Sequence, residues 1–181
     1  TAPTGGFGEL TPTAAAEAML LARRASKAKG SRFYVERDTC AQTRAVIETR
    51  AIAVGLEIVE FDAADAPTFE GAFGVLIQQP GASGRVLDDG TLTRIAVSAH
   101  EANALVAVAL DLLAATLIGA PGDLGADIAL GSSQRFGVPM GFGGPHAGFI
   151  SVRQELVRQL PGRLVGVSRD ASGAPAYRLA L

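Results

Sequence analysis

Short apolar runs alternate along this chain with longer stretches in which apolar residues recur at helical spacing. Ala104–Leu110 is entirely apolar, which is typical of a strand buried on both faces of a sheet. Ala126–Leu130 is a second brief apolar run, bounded on both sides by glycine. Further strands are predicted over four segments: Arg32–Glu36, Leu56–Phe61, Phe73–Ile77 and Gly148–Val152.

Apolar residues at intervals of three and four predict helices between these runs. The first helix begins with Thr11 as N-cap and Pro12 at the first helical position. The second spans about Cys40 to Val54, and Thr39 with Gln42 is expected to form its capping box. The remaining predicted elements are a helix over Thr91–Ala102, a short helix over Arg153–Gln159, and a hairpin of Leu164–Ser168 with Ala176–Leu181.

The alternation of strands and helices predicts an α/β fold, in which a mostly parallel sheet is covered on both faces to give three layers. Residues 11–181 are expected to form one domain. The small, glycine-rich segment 1–10 is expected to be a flexible leader.

Composition excludes several function classes. The net charge of −2 offers no basic surface for nucleic acid or an anionic membrane. No apolar run is long enough to span a bilayer, and no spacing of His, Cys, Asp and Glu indicates a metal site. Cys40 is the only cysteine, so an intrachain disulfide is impossible and a cytoplasmic location is expected.

Polar residues follow three of the predicted strands. Gln79, Asp111 and the pair Ser133-Gln134 come at strand carboxyl ends, where open α/β sheets gather their ligands. A glycine-rich loop containing Gly143, Gly144 and His146 comes next. Because proline interrupts it and no helix follows, this loop does not match a dinucleotide fingerprint. His146 and His100 are expected to be structural, since the sequence shows no carboxylate partner for either.

The loop and the residues before it, S-S-Q-R-F-G-V-P-M-G-F-G-G-P-H-A-G-F, closely resemble the amino-terminal half of the glycine decarboxylase P-protein family, the pyridoxal-phosphate-dependent component of the glycine cleavage system. The resemblance runs from about Leu10 to Leu181. Other matching pieces, in order along the chain, are T-A-A-A-E-A-M (Thr13 to Met19), Q-P-G-A-S-G-R-V-L-D (Gln79 to Asp88), P-G-D-L-G-A-D-I (Pro121 to Ile128) and P-G-R-L-V-G-V-S (Pro161 to Ser168).

The resemblance implies the large domain of the aspartate-aminotransferase-like fold (pyridoxal-phosphate fold type I), truncated, with its small domain absent and with one antiparallel strand in the sheet. In such enzymes an acid at the position of Asp111 pairs with the cofactor's pyridine nitrogen, and a lysine on the next strand forms the Schiff base. Gln134 stands at that lysine's position. The chain's lysines are Lys27 and Lys29, expected on the solvated side of the first helix.

These observations predict the scaffold and interface part of a P-protein, inactive alone. The complete enzyme, an oxidoreductase of glycine catabolism, decarboxylates glycine with pyridoxal phosphate held by a lysine outside this chain. It passes the aminomethyl group to the lipoyl arm of the H-protein. Expected partners are the lysine-bearing half, fused or separate, the H-protein and further copies of the chain.

Site roles stay open at this point. Asp111 is either a relic cofactor ligand or the cap of the segment after its strand. No catalytic residue is assigned and no bound cofactor or metal is expected. An alternative is a free-standing α/β module that binds a small anionic metabolite. The candidate pseudo-site positions are Asp111, Ser133, Gln134, Gly143, Gly144 and His146.

Overall fold

The computed structural model describes residues 4–9, 11–65, 67–137, 147–162 and 164–180. Within these ranges the strands are Thr4–Glu9 (β1), Arg32–Glu36 (β2), Glu57–Phe61 (β3), Ala72–Gln79 (β4), Leu105–Asp111 (β5), Ile128–Ser132 (β6), Ala147–Val152 (β7), Leu164–Arg169 (β8) and Pro175–Ala180 (β9). The α-helices are Thr11–Ala25 (α1), Ala41–Ala53 (α2) and Asp89–Glu101 (α3).

The centre of the fold is a seven-stranded sheet with the order β1-β7-β6-β5-β4-β2-β3. The pairs from β3 through β6 are parallel. β7 runs antiparallel to both of its neighbours, β6 and β1. The predicted parallel sheet with a single reversed strand is therefore confirmed.

Helices cover both faces of this sheet, which confirms the predicted three layers. One face packs against α1 and α2, and this core contains Met19, Leu21 and Ile47. The other face packs against α3 through Leu92 and Ile95. The buried side of α1 is largely alanine, which lets the helix lie close to the strands.

The chain changes direction across the sheet between β2 and β4. From β2 it passes through α2, on one face, to the edge strand β3. From β4 it passes through α3, on the opposite face, to β5 on the other side. In open α/β sheets, the strand ends at such a reversal leave a crevice between the two connections.

Segment 1–10 differs from the prediction of a flexible leader, because Thr4–Glu9 forms β1. It pairs antiparallel with β7, from Thr4 opposite Val152 to Glu9 opposite Ala147. The physical reason is that the outer edge of β7 presents unpaired backbone groups, and such an edge accepts a strand largely irrespective of its side chains.

Two helix starts also differ from the predictions. The predicted capping box of α2 is wrong, because Cys40 is the N-cap and no side chain caps the helix. The hydroxyl of Thr39 is buried without a hydrogen-bond partner among the described residues. α3 begins at Asp89, two residues earlier than predicted, because Asp88 accepts a hydrogen bond from the Thr91 N–H at 2.9 Å.

Near the carboxyl end, the predicted short helix is a 3₁₀ helix over Gln154–Gln159. The predicted hairpin is confirmed as β8 and β9, which pair antiparallel with Val167 opposite Tyr177. The side chains on one face of the hairpin are largely exposed: Val165 by 65%, Val167 by 79% and Tyr177 by 81%. Because this face is apolar, it is suited to contact another protein surface.

Candidate functional site

A cleft of about 670 Å³ opens at the carboxyl ends of β2, β4, β5 and β6. It includes the point where the chain reverses between β2 and β4, the position expected for a ligand in this architecture. The residues that line it are Thr11, Pro12, Cys40, Gln42, Thr43, Gln78, Gln79, Pro80, Gly81, Ala109, Leu110, Asp111, Ser132, Gln134 and Arg135.

Asp111 ends β5 and lines this cleft, as predicted. Its Oδ1 accepts hydrogen bonds from the N–H groups of Leu113 at 2.8 Å and Ala114 at 3.2 Å. Its Oδ2 lies 3.2 Å from Nε of Arg135. Asp111 therefore caps the turn that follows its strand, and its charge is balanced by a guanidinium from this chain.

Gln134 follows β6 and also lines the cleft. Its backbone N–H donates to Ser132 Oγ at 3.2 Å, and Ser133 precedes the 3₁₀ turn Gln134–Phe136. The structure thus brings Asp111 and Gln134 to the same cleft. The other predicted positions, Gly143, Gly144 and His146, lie outside the described residues.

The two lysines lie far from this cleft. Both follow the end of α1 at Ala25, rather than lying on the helix as predicted, and both are exposed. Lys27 lines a separate depression of about 260 Å³ together with Leu105, the first residue of β5. Because each strand residue advances about 3.3 Å, the two ends of β5 are about 20 Å apart. The described residues of the cleft therefore do not fit covalent attachment of pyridoxal phosphate.

Gln78 fixes the start of α2 against the end of β4. Its Oε1 accepts the Cys40 N–H at 3.0 Å, and its Nε2 donates to Pro80 O at 3.2 Å. The side chain of Gln79 is buried and is bonded in both directions to the backbone of Leu87. These amides hold one wall of the cleft.

The loop 80–85 beside this wall is held by an ionic cluster. Arg85 donates to Glu36 at 2.7 Å, and Glu36 is only 1% exposed. Burial raises the pKa of the Glu36 carboxyl. Asp38 accepts from the hydroxyl of Ser83 at 2.6 Å, and this bond lowers the pKa of Asp38. A side chain on Gly81 would overlap the Asp38 carboxylate in the position where it accepts from Ser83, and would displace that contact.

A second polar cluster lies at the opposite end of the sheet. His100 Nε2 is 2.8 Å from Oδ2 of Asp127, which also accepts the Val106 N–H at 2.8 Å. Arg153 Nε lies 3.4 Å from Oδ1 of the same carboxylate. The expectation that His100 lacks a carboxylate partner was wrong. Asp127 was the available signal in the sequence, because a charged residue within an otherwise apolar run requires partners.

Metal centres and membrane-spanning helices are absent from the residues that the structure describes. No group of three or more His, Cys, Asp and Glu side chains there could hold a metal ion. No helix in those ranges is long and apolar enough to cross a membrane.

Comparison with known proteins identifies relatives of this chain. The family described as glycine cleavage system P-protein matches residues 10–181. A solved glycine decarboxylase (P-protein) in inhibitor-bound form is 36% identical with a TM-score of 0.82, over 97% of this chain and 40% of that chain. The chain thus spans less than half of that relative.

More distant structures share the fold alone. A cystathionine γ-lyase of Micromonospora echinospora is 24% identical with a TM-score of 0.63, over 87% of this chain and 41% of that chain. An aspartate aminotransferase of Thermus thermophilus is 22% identical with a TM-score of 0.59, over 91% of this chain and 47% of that chain. These neighbours confirm the pyridoxal-phosphate fold type I architecture. With the family match over nearly its whole length, the chain belongs to the glycine cleavage system P-protein family.

Proposed function

We propose that this chain is the scaffold and interface part of a glycine decarboxylase, and that it lacks the site where pyridoxal phosphate is covalently held. The observation that carries the proposal is Gln134, an amide that follows β6 in the cleft next to Asp111. An amide cannot form an imine with an aldehyde, and both lysines are exposed and remote from the cleft.

The neighbouring charges support the same role. In the family, the acid at the position of Asp111 pairs with the protonated pyridine nitrogen of the cofactor. In this chain the Arg135 guanidinium is the cation beside Asp111. The carboxylate therefore orients the turn after β5 and balances Arg135.

The chemistry belongs, in this proposal, to a lysine-bearing half, either fused to this chain or present as a separate subunit. Pyridoxal phosphate bound there would act as the electron sink for glycine decarboxylation, with transfer of the aminomethyl group to the lipoyl arm of an H-protein. This chain would supply one wall of the active-site region. The exposed apolar face of the hairpin β8–β9 is a suitable contact surface for that half or for a second copy.

The proposal includes the location and the class of the complete enzyme. A single cysteine and a net charge of −2 fit a cytoplasmic oxidoreductase system of glycine catabolism. Segment 11–181 would be a large-domain part of the fold.

The test is reconstitution. We expect no release of carbon dioxide from carboxyl-labelled glycine by this chain with pyridoxal phosphate and lipoylated H-protein. Addition of the lysine-bearing half should produce release that saturates at a fixed ratio of the two polypeptides. Turnover by this chain alone would overturn the proposal. So would a lysine-bearing half whose activity is the same with and without this chain.

A matched pair of variants locates the contact. Val167→Asp places a charge on the exposed apolar face of the hairpin, and we expect it to weaken the association. Ser168→Asp places the same charge on the other face of β8, where the side chain is partly buried. If both variants weaken the association equally, the apolar face of the hairpin is not the contact surface.

A further inference from the structure

The amino-terminus of α2 faces the cleft without a side-chain cap. Cys40 occupies the N-cap position, where the usual oxygen acceptor is missing, and makes no capping bond. The first three N–H groups of a helix have no partner within the helix. No acceptor among the described residues binds those of Ala41, Gln42 and Thr43. α3 is different, because Asp88 accepts the third of these N–H groups.

The side chain of Thr43 provides an independent observation at the same place. Thr43 is only 2% exposed and lines the cleft. Its hydroxyl makes no hydrogen bond to any other residue that the structure describes. A hydroxyl in so confined a position is expected to have a partner, which here is water or a ligand in the cleft. A ligand that accepts a hydrogen bond from within the cleft would satisfy it.

The position in the fold favours a ligand with negative charge. α2 begins after β2, at the reversal between β2 and β4 where open α/β sheets bind ligands. The partial positive charge of a helix amino-terminus, together with its free N–H groups, attracts anions. The one described carboxylate that lines the cleft, Asp111, is already balanced by Arg135.

We propose that this cleft binds a small oxyanion, a carboxylate or phosphate group, at the amino-terminus of α2. The first-turn N–H groups and the Thr43 hydroxyl donate to its oxygens, while Gln78 holds the Cys40 N–H and so fixes the helix start. The site requires no lysine and no covalent bond. It goes beyond the proposed scaffold role and does not depend on it.

The experiment is an amide-resolved NMR titration of the whole chain at low ionic strength. Inorganic phosphate and sodium acetate are the two probes, and sodium chloride at matched ionic strength is the control. We expect saturable shifts at residues 41–43 with at least one probe. Saturation by phosphate alone would assign the site to phosphate groups, and saturation by acetate alone would assign it to carboxylates.

Two threonines on the same helix supply a matched pair of variants. Thr43→Val removes the cleft hydroxyl with little change of shape, and we expect roughly 5- to 10-fold weaker binding from the loss of one hydrogen bond to an anion. Thr49→Val removes a hydroxyl that donates to Ala45 O at 2.8 Å, and binding should be unchanged.

A further variant covers the case in which Thr43→Val perturbs folding. Ala41→Pro removes one first-turn N–H at the helical position where proline is best tolerated, and it should also weaken binding. Shifts that match those in chloride, shifts centred away from 41–43, or equal affinity of wild type and Thr43→Val with an intact amide spectrum would each overturn the proposal.

Discussion

The charged residues at the two ends of the central sheet have different surroundings. At the amino ends, Asp127 is buried and contacts His100, Arg153 and the Val106 N–H. At the carboxyl ends, Asp111 stands in an open cleft, paired with the exposed Arg135. The first cluster uses its hydrogen-bonding capacity to join α3, β5 and β6, while the second leaves room for a ligand. Charge alone therefore does not identify a functional site, since accessible space and unengaged donors are also needed.

Removal of Asp127 should produce the largest effect. Asp127→Ala leaves a buried N–H of Val106 without its acceptor and removes the carboxylate that His100 and Arg153 share. We expect a loss of about 3 kcal/mol in the free energy of unfolding. Asp111→Ala should cost only about 1 kcal/mol, because its partners are near the surface. Urea unfolding of both variants checks this, and equal losses would contradict the comparison.

The side of the sheet where the strands have their carboxyl ends also contains an ionic cluster, which is centred on Arg85. Arg85→Met removes the cation that pairs with Glu36, which is 1% exposed, and should cost about 2 kcal/mol because Arg85 itself is partly solvated. Arg94→Met is the control, since the hydrogen bond of Arg94 to Ala63 O involves no charged partner. If thermal unfolding shows the same loss for both variants, the ionic cluster does not stabilise the loop 80–85.

Glu36, beside the wall of the cleft, should also make the folding stability depend on pH. Burial raises the pKa of Glu36 above its ordinary value of 4.5. As the pH rises past that value, the unfolded chain releases this proton before the folded chain does, so folding stability falls. Glu36→Gln removes this component. We expect the wild type to lose stability relative to Glu36→Gln as the pH rises from 4 to 7, and parallel stability curves would contradict it.

The smallest effect is expected at Arg135. Its ion pair with Asp111 joins a side chain that is 59% exposed, and such pairs contribute about 0–1 kcal/mol. Arg135→Ala should therefore leave the urea midpoint nearly unchanged, although it removes a cation from the cleft. A loss as large as that of Asp127→Ala would show that the cleft is a structural cluster like the one at the amino ends.

Apolar periodicity was sufficient to predict most of the fold. The strands from β2 to β9 and the three helices follow from runs and stripes that one chain segment displays by itself. Backbone pairing of β1 was missed, because it depends on the exposed edge of a distant strand rather than on local sequence. The cap of α2 was missed because Cys40, a poor acceptor, occupies the N-cap position.

The candidate site was predictable only in part. Asp111 and Gln134 were placed by the rule that polar residues at strand carboxyl ends meet at one rim. The contact of Gln78 with the start of α2 could not be predicted, since it joins two elements that meet only after packing. The role proposed for Thr43 could not be predicted either, since it depends on which donors remain unpaired in the packed structure. The His100–Asp127 contact joins residues on separate elements, and only the charge within an apolar run hinted at it.

We propose that this cleft has the place of a pyridoxal-phosphate site but lacks its lysine. The most direct measurement is to incubate the purified chain with pyridoxal phosphate, reduce with borohydride, and map adducts by mass spectrometry in native and urea-unfolded samples. We expect only weak labelling at Lys27, Lys29 or the amino terminus, equal in both samples. A stoichiometric adduct that requires the native fold, with a saturable spectral change on adding glycine, would contradict it.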